Sequence, residues 1–287
     1  MKQIHKLLIV ATSMVLCNSI LQAKEEEIHE HSGTSNVKIN YEVLDFTHSK
    51  KKEDGKRYGI ELDHESESNH FQLYLERTET HTTKIVPKDL DVKKIVMKYQ
   101  YKFRQDERLS FSYANIDDNI MKETNGGNIY GLGYSNSGLA MTEYVSDYPH
   151  FNVYQTDLKY TLKHKGIKWT ALGKYIHLSN KNSNNFSKKA KNDYLTIGMK
   201  VHTHYKGYHL GAAVFTGNRI FAVMKEGLMV QHHAMEFRQT YMCGVGHKLG
   251  ENIAMHLRYI HHNAKEVPIG NAGVKVDIIS FDMLYTF

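Results

Sequence analysis

From residue 37 onward, apolar and polar side chains trade places at every second position, and helical spacing is absent. Val37, Ile39, Tyr41 and Val43 alternate with Lys38, Asn40 and Glu42, and Tyr58, Ile60 and Leu62 with Gly59, Glu61 and Asp63. Phe71, Leu73 and Leu75 have Gln72, Tyr74 and Glu76 between or after them, and Ile95, Met97, Tyr99, Tyr101 and Phe103 face away from Val96, Lys98, Gln100, Lys102 and Arg104. A period of two is the signature of a strand with two unlike faces. The same reading predicts strands over 109–116, 128–135, 139–146, 151–163, 167–178, 194–203, 208–216, 234–247, 253–260 and a last one ending at Phe287. The total is about fourteen, or twelve if the sixth and seventh merge.

Connection lengths alternate as well. The even-numbered connections, 65–69, 105–107, 136–138, 164–166, 205–207 and 249–251, are all short. The odd-numbered ones, 50–56, 83–90, 117–127, 179–192, 218–232 and 261–273, are long, and only the one around Asp147 and Pro149 is brief. All three prolines, Pro87, Pro149 and Pro268, fall in the odd set, where a missing backbone donor breaks no ladder. Short and long connections in turn predict an up-and-down antiparallel barrel with both termini at one end.

At the C-terminus, Ile279, Phe281, Met283, Tyr285 and Phe287 occupy alternate positions, with Thr286, Asp282 and Ser280 between them. This ending resembles bacterial outer-membrane β-barrels, whose last strand characteristically finishes on Phe behind alternating apolar residues. The resemblance implies an all-β transmembrane barrel over 36–287, recognised through this strand by the barrel-assembly machinery. The beginning of the chain fits export across the inner membrane of a Gram-negative cell. Lys2 and Lys6 precede an apolar stretch from Leu7 to Leu16, and Leu21-Gln22-Ala23 makes a cleavage site, so residues 1–23 read as a signal peptide and 24–35 as a short periplasmic segment.

Charged residues make up 24% and the mean hydropathy is −0.52, which excludes a helical membrane bundle but not a barrel, where only half of each strand meets lipid. Removing residues 1–23 takes away Cys17 and leaves Cys243 alone, so no intramolecular disulfide is expected. Two lysines and no acid leave with that segment, lowering the formal charge from +6 to +4, too mild a balance to imply nucleic acid.

The alternation assigns an inward set: Lys38, Glu42, Glu61, Asp63, Glu76, Lys94, Lys98, Lys102, Arg104, Asp157, Lys159, Lys163, Lys168, Lys174, Lys200, His202, His256, Arg258 and Asp282. So many charges need water or partners, and about fourteen strands enclose a channel rather than a filled core. Acids concentrate on the first three strands and bases on the fourth and the eighth to tenth, which suggests a field across the lumen. Outward, Tyr41, Tyr58, Tyr99, Tyr101, Tyr160, Trp169, Tyr175, Tyr208, Tyr241, Tyr259, Tyr285 and Phe287 are candidates for interfacial girdles. Small inward residues, Gly131 with Gly133 and Gly211 with Ala213, are read as relief of crowding at curves.

Nineteen histidines stand out in number. His29 and His31 lie in the N-terminal segment, and His232, His233, His261 and His262 fall in the two last long loops, where imidazoles are read as a solvated or pH-responsive surface and only secondarily as ligands for Zn, Cu or Ni. No cofactor is expected. Asp117-Asp118 offers a carboxylate pair at the rim, but no Ser/His arrangement accompanies it, and no enzymatic activity is expected. The function expected is an outer-membrane porin for passive diffusion of small polar or ionic solutes, with weak anion preference. Its length and strand count resemble monomeric fourteen-stranded porins. The alternatives are a transporter of hydrophobic solutes resembling the long-chain fatty-acid family, against which the short 24–35 segment counts as a hatch, and a structural or adhesin barrel.

Overall fold

A computed structural model describes residues 33–120, 124–179 and 189–287. The expected signal segment 1–23, the histidines of the 24–35 segment and most of the 179–192 connection lie outside them.

The strands follow one another as β1 (Thr34–Thr47), β2 (Lys52–Glu65), β3 (Asn69–Thr82), β4 (Leu90–Arg104), β5 (Glu107–Asp118), β6 (Asn128–Ser135), β7 (Leu139–Tyr148), β8 (Phe151–His164), β9 (Ile167–Ser179), β10 (Asp193–Tyr205) and β11 (Tyr208–Arg219). Two short strands, β12 (Val223–Met224) and β13 (Met229–Val230), precede β14 (Met235–Lys248), β15 (Ile253–Glu266) and β16 (Asn271–Thr286). Each long strand pairs antiparallel with its neighbour, β11 pairs directly with β14, and β1 pairs with β16, so fourteen strands close into a ring. Tyr41 faces Phe281 and Ile39 faces Met283 across the seam, and the Phe287 amide donates to the Ser35 carbonyl. β6 and β7 are separate strands, which decides fourteen over twelve. Closure leaves no unpaired edge, the condition for strands in lipid.

At the end that bears the termini the turns are tight. Lys165 with Gly166 and Lys206 with Gly207 all have positive φ, between 46° and 83°, as two-residue hairpins that follow the strand twist require.

At the other end, the ladders run farther than the sequence indicates. The connections expected over 50–56 and 261–273 shrink to 48–51 and 267–270, because Asp45 still pairs with Asp54 and Glu266 with Asn271. Outward positions turn polar there, as at Asp45, Arg77, His261, Lys275 and Asp277, so these stretches read as loop while their backbones stay in register. His261 and His262 therefore belong to β15 and not to a loop, and they point to opposite faces of the wall.

The outer wall below that rim is apolar. Ile39, Ile60, Leu75, Phe111, Leu132, Leu158, Leu162, Ile197, Leu257 and Ile279 are exposed, as is every aromatic residue expected in the girdles. Tyr58, Tyr175 and Tyr259 aim their hydroxyls at Glu79, Asp193 and Asp277, 2.5–2.6 Å away, which places polar tips at the border of the apolar band. Buried positions on the opposite face include Glu42, Arg57, Glu76, Lys94 and Asp282. A wall with apolar residues outside and charges inside is the inverse of a soluble sheet protein.

Several inward glycines lie beside a large inward side chain. A Cβ on Gly131 would fall 2.7 Å from the Tyr144 ring, one on Gly198 2.2 Å from the Phe215 ring, and one on Gly246 2.1 Å from the His256 ring. These glycines let a neighbouring ring lie flat over the wall instead of projecting across the lumen.

Candidate functional site

Residues 220–234, expected outside the barrel, fold into the lumen. Ile220, Phe221, Ala222, Val223 and Val230 are buried, and Phe221 packs against Phe151 and Tyr148 with ring centroids 4.9 and 5.7 Å apart. Ile116, Ile129, Val153, Ile176 and Leu178 complete this apolar cluster. A second cluster joins Leu44, Phe46, Met235, Phe237, Ile260, Val276 and Ile278. The half of the interior nearest the long loops is therefore largely apolar, which corrects the expectation of a charged, water-lined interior throughout. The sequence carried a signal for this inward fold: Ile220, Phe221, Ala222, Val223, Met224, Leu228, Met229 and Val230 make an unusually apolar surface loop.

Polar contacts pin the loop to the wall. The Gln155 side-chain amide donates to the Val223 carbonyl at 2.8 Å and accepts from the Val223 amide at 2.8 Å. Lys174 donates to the same carbonyl at 2.8 Å and bonds both oxygens of Asp157 at 2.5 Å. Lys94 donates to the Val230 carbonyl at 3.0 Å and to Glu76 at 2.6 Å. At the tip, Glu226 pairs with Lys159 and lies 3.5 Å from Lys98. Phe221, Lys225 and Glu226 all have φ of 49–57°, three of the six non-glycine residues with positive φ among those described. Such backbone is tolerated only where surrounding contacts over-determine it.

Burial alone would raise the Glu226 carboxyl, but Lys159 and Lys98 outweigh it and hold it at about 2. Its side chain nevertheless keeps 56% of its surface accessible within the lumen, so water screens the pairing. Confinement in the barrel, and then Arg258, push the Lys225 ammonium down to about 8 against the pull of Glu42 and Asp282.

His232 and His233, expected on an exposed loop, are 1% and 6% exposed, because the loop that carries them turns inward. Burial first, and then nearby cations such as Lys94 and Lys52, hold both rings neutral. None of their four ring nitrogens has a hydrogen-bond partner among the described residues, and Lys52, Lys94 and Arg57 nearby add positive charge around the pair. His262 accepts from or donates to Thr240 at 2.7 Å on the lumen side, while His261 bonds Asp277 outside. His232, His233 and His262 line the same inner cavity, and His261 stands apart from them.

The wall charges fall into pairs over β1 to β4 and at β15 and β16. Arg57, which the sequence reading missed, bonds Glu42 at 2.5 Å and lies 3.5 Å from Glu76. Lys38 pairs with Glu61, His70 with Asp63 at 2.5 Å, and Arg258 with Asp282 at 2.6 Å. The run Lys94, Lys98 and Lys102 shares the inner face of β4, but Lys94 is neutralised by Glu76 and Lys98 faces Glu226. Arg104 lies at the exposed end of β4 beside Glu107, and Lys163 at the exposed end of β8. Asp117 and Asp118 point to opposite faces of β5, so they form no carboxylate pair.

The opposite side of the lumen is basic. A cavity of about 340 Å³ between the loop tip and the wall is lined by Lys98, Lys159, Lys174, Lys200, Arg219 and Lys225, with only Asp157 and Glu226 acidic. Arg219 is 0% exposed and, among the described residues, has no carboxylate partner: Nε donates to Gln231 at 3.2 Å, one terminal nitrogen to Thr240 at 2.6 Å, and Nη1 has no partner there. The guanidinium lies 5.8 and 5.4 Å from the Phe215 and Phe237 rings. Toward the termini, His202 and His256 share the inner face with His204 and His209, which the sequence reading did not select.

No protein-family model matches the chain, and no curated protein matches it by sequence. Among solved structures it is similar to the toluene transporter TbuX of Ralstonia pickettii, with TM-score 0.55 and 7% identity over 90% of each chain. It is also similar to the outer membrane protein Omp33 of Acinetobacter baumannii, with TM-score 0.50 and 6% identity over 88% of this chain and 99% of that one. Identities this low speak to the fold alone. With its closed ring, apolar outer band and charged interior, the chain is a fourteen-stranded barrel of the bacterial outer-membrane type.

Proposed function

We propose that this barrel is an outer-membrane channel for small anionic solutes, narrowed by residues 220–234. The observation that carries the reading is the cavity beside the loop tip, where six basic side chains meet two acidic ones and the buried Arg219 guanidinium keeps a terminal nitrogen unpaired. A guanidinium beside ammonium groups in a confined space suits a carboxylate or phosphate, which it meets with paired N–H donors. Lys200 and Lys225 add charge without an ion pair to an acid among the described residues, so their fields act on a solute instead of on the wall. The reading includes export behind residues 1–23, hand-over to the barrel-assembly machinery through β16, and no catalytic step.

The test is the reversal potential of the purified barrel in a planar bilayer under a salt gradient. The wild-type chain should favour anions, and Lys200→Glu with Lys225→Glu should move the potential toward cations, most at low ionic strength where screening is weak. Cation preference in the wild type, or an unmoved potential in the variant, would overturn the anion reading.

A hydrophobic-solute transporter is the second reading, favoured by the apolar upper lumen and by likeness to a toluene transporter. Here residues 220–234 take the place of the N-terminal hatch that this class was expected to need. Folded protein that passes no ions yet speeds uptake of an apolar solute into vesicles would select it.

A further inference from the structure

At the end of the lumen that bears the termini, His202 and His204 stand two residues apart on the inner face of β10, and His209 lies directly across from His204 on β11. The ring centroids of His204 and His209 are 4.2 Å apart, those of His202 and His204 4.8 Å, and those of His202 and His209 6.0 Å. One nitrogen from each of the three lies within 4.8 Å of the others. We infer that His202, His204 and His209 form a binding site for a divalent transition-metal ion of the Zn, Ni or Cu class.

The arrangement follows from strand geometry. Residues i and i+2 of a strand share a face, and a directly paired residue of the neighbouring strand brings a third side chain alongside them. The tight Lys206-Gly207 turn fixes the register, so the three rings belong to one short hairpin and not to separately mobile loops. With metal–nitrogen bonds of about 2.0–2.1 Å, three imidazoles around one ion need nitrogens roughly 3.4 Å apart, a gap that ring rotation closes from the observed spacing.

The neighbouring wall leaves room for that rotation. Gly211 pairs with His202, and a Cβ there would come to 3.9 Å from the His202 ring. Gly246 faces both His209 and His256, and the His256 ring lies over it with its centroid 6.0 Å from that of His209. His256 is thus near enough to act as a fourth ligand or to hydrogen-bond a metal-bound water.

The charged groups around the cluster choose the ion. Lys168 pairs with His202 across β9, Lys248 and Arg258 lie nearby, and Asp282, the acid on that side, is already bonded to Arg258. No free carboxylate faces the rings among the described residues, so Ca and Mg, which take oxygen ligands, have no donor set here. Neutral imidazoles suit Cu, Ni and Zn instead, with affinity rising toward Cu. A bound ion would add positive charge to the mouth of the lumen. That consequence rests on the channel reading, whereas the site itself does not.

The experiment is equilibrium binding of Zn and Cu to the untagged, folded barrel in detergent, with electron paramagnetic resonance of the Cu form. One ion per barrel is expected, with coupling to several imidazole nitrogens in the Cu spectrum and no binding of Mg or Ca. His204→Ala with His209→Ala should lower the affinity at least tenfold and erase the multi-imidazole signature. His81→Gln, an exposed histidine on β3 at the opposite rim, should do neither. Heat-modifiable gel mobility confirms that each variant is folded. Binding unaffected by the double substitution, or no binding by folded wild-type protein, would overturn the site. Zn block of the current from the side of the termini is a separate readout; its absence with binding intact would count against the channel and leave the site standing.

Discussion

The side-chain amide of Gln155 on β8 meets the backbone of Val223 with two hydrogen bonds of 2.8 Å, one given and one received. A strand residue would be recognised by its neighbour in the same way, so the wall holds the loop with an imitation of sheet pairing. Gln155→Ala leaves the buried Val223 amide without an acceptor, a loss of about 1–3 kcal/mol. Single-channel recordings should then show larger or more frequently fluctuating currents than the wild type. An unchanged current trace would mean that Lys94 and the Phe221 cluster suffice to hold the loop.

Acid should loosen the loop tip by a different route. The Glu226 carboxyl sits at about 2 in the folded chain against 4.5 when free, so the stabilisation it supplies is fully present above about 4.5 and is lost as pH falls toward 2. Lys225 runs the opposite way in charge: its ammonium, pushed down from 10.5 to about 8, discharges as pH rises through that value. Conductance should therefore rise in acid below pH 4.5, an effect that Glu226→Gln removes. Anion preference should fade between pH 7 and 9, which Lys225→Arg prevents. A reversal potential flat from pH 7 to 9 would remove Lys225 from the selectivity.

The paired glycines and rings give a test of packing that is independent of transport. In Gly198→Val the new Cβ would collide with the Phe215 ring, against which the Arg219 guanidinium also lies. Overpacking of this kind costs about 1–3 kcal/mol. The barrel should unfold at lower denaturant, read by gel mobility, and Phe215→Ala in the same chain should recover part of the loss. Additive losses in the double variant would separate the two positions.

The parity of nearly every lumen and lipid position was legible from the sequence because a period of two is local: Lys98 and Tyr99 differ in fate by one step along a strand. The fourteen-strand count was legible for the same reason. What parity does not carry is a contact between distant segments. Gln155 is 68 residues from Val223 and Lys94 is 136 from Val230, so the inward fold of 220–234 is decided by groups that no neighbouring pattern connects. The strand ends were misread because a polar outer face above the lipid looks like a loop, although Glu266 and Asn271 still pair. His204 and His209 escaped because their meeting depends on the register across a turn, which separates them by five positions in the chain.

β11 bonds β14 directly, with Thr216 opposite Gln239 and Arg219 opposite Phe237, so the ring is complete without the fifteen residues between them. Scaffold and obstruction are thus two heritable modules on one chain. In the proposed channel, lengthening, shortening or recolouring the excursion alters what the interior admits while the surface presented to lipid stays the same, so a new solute range can arise without a new barrel.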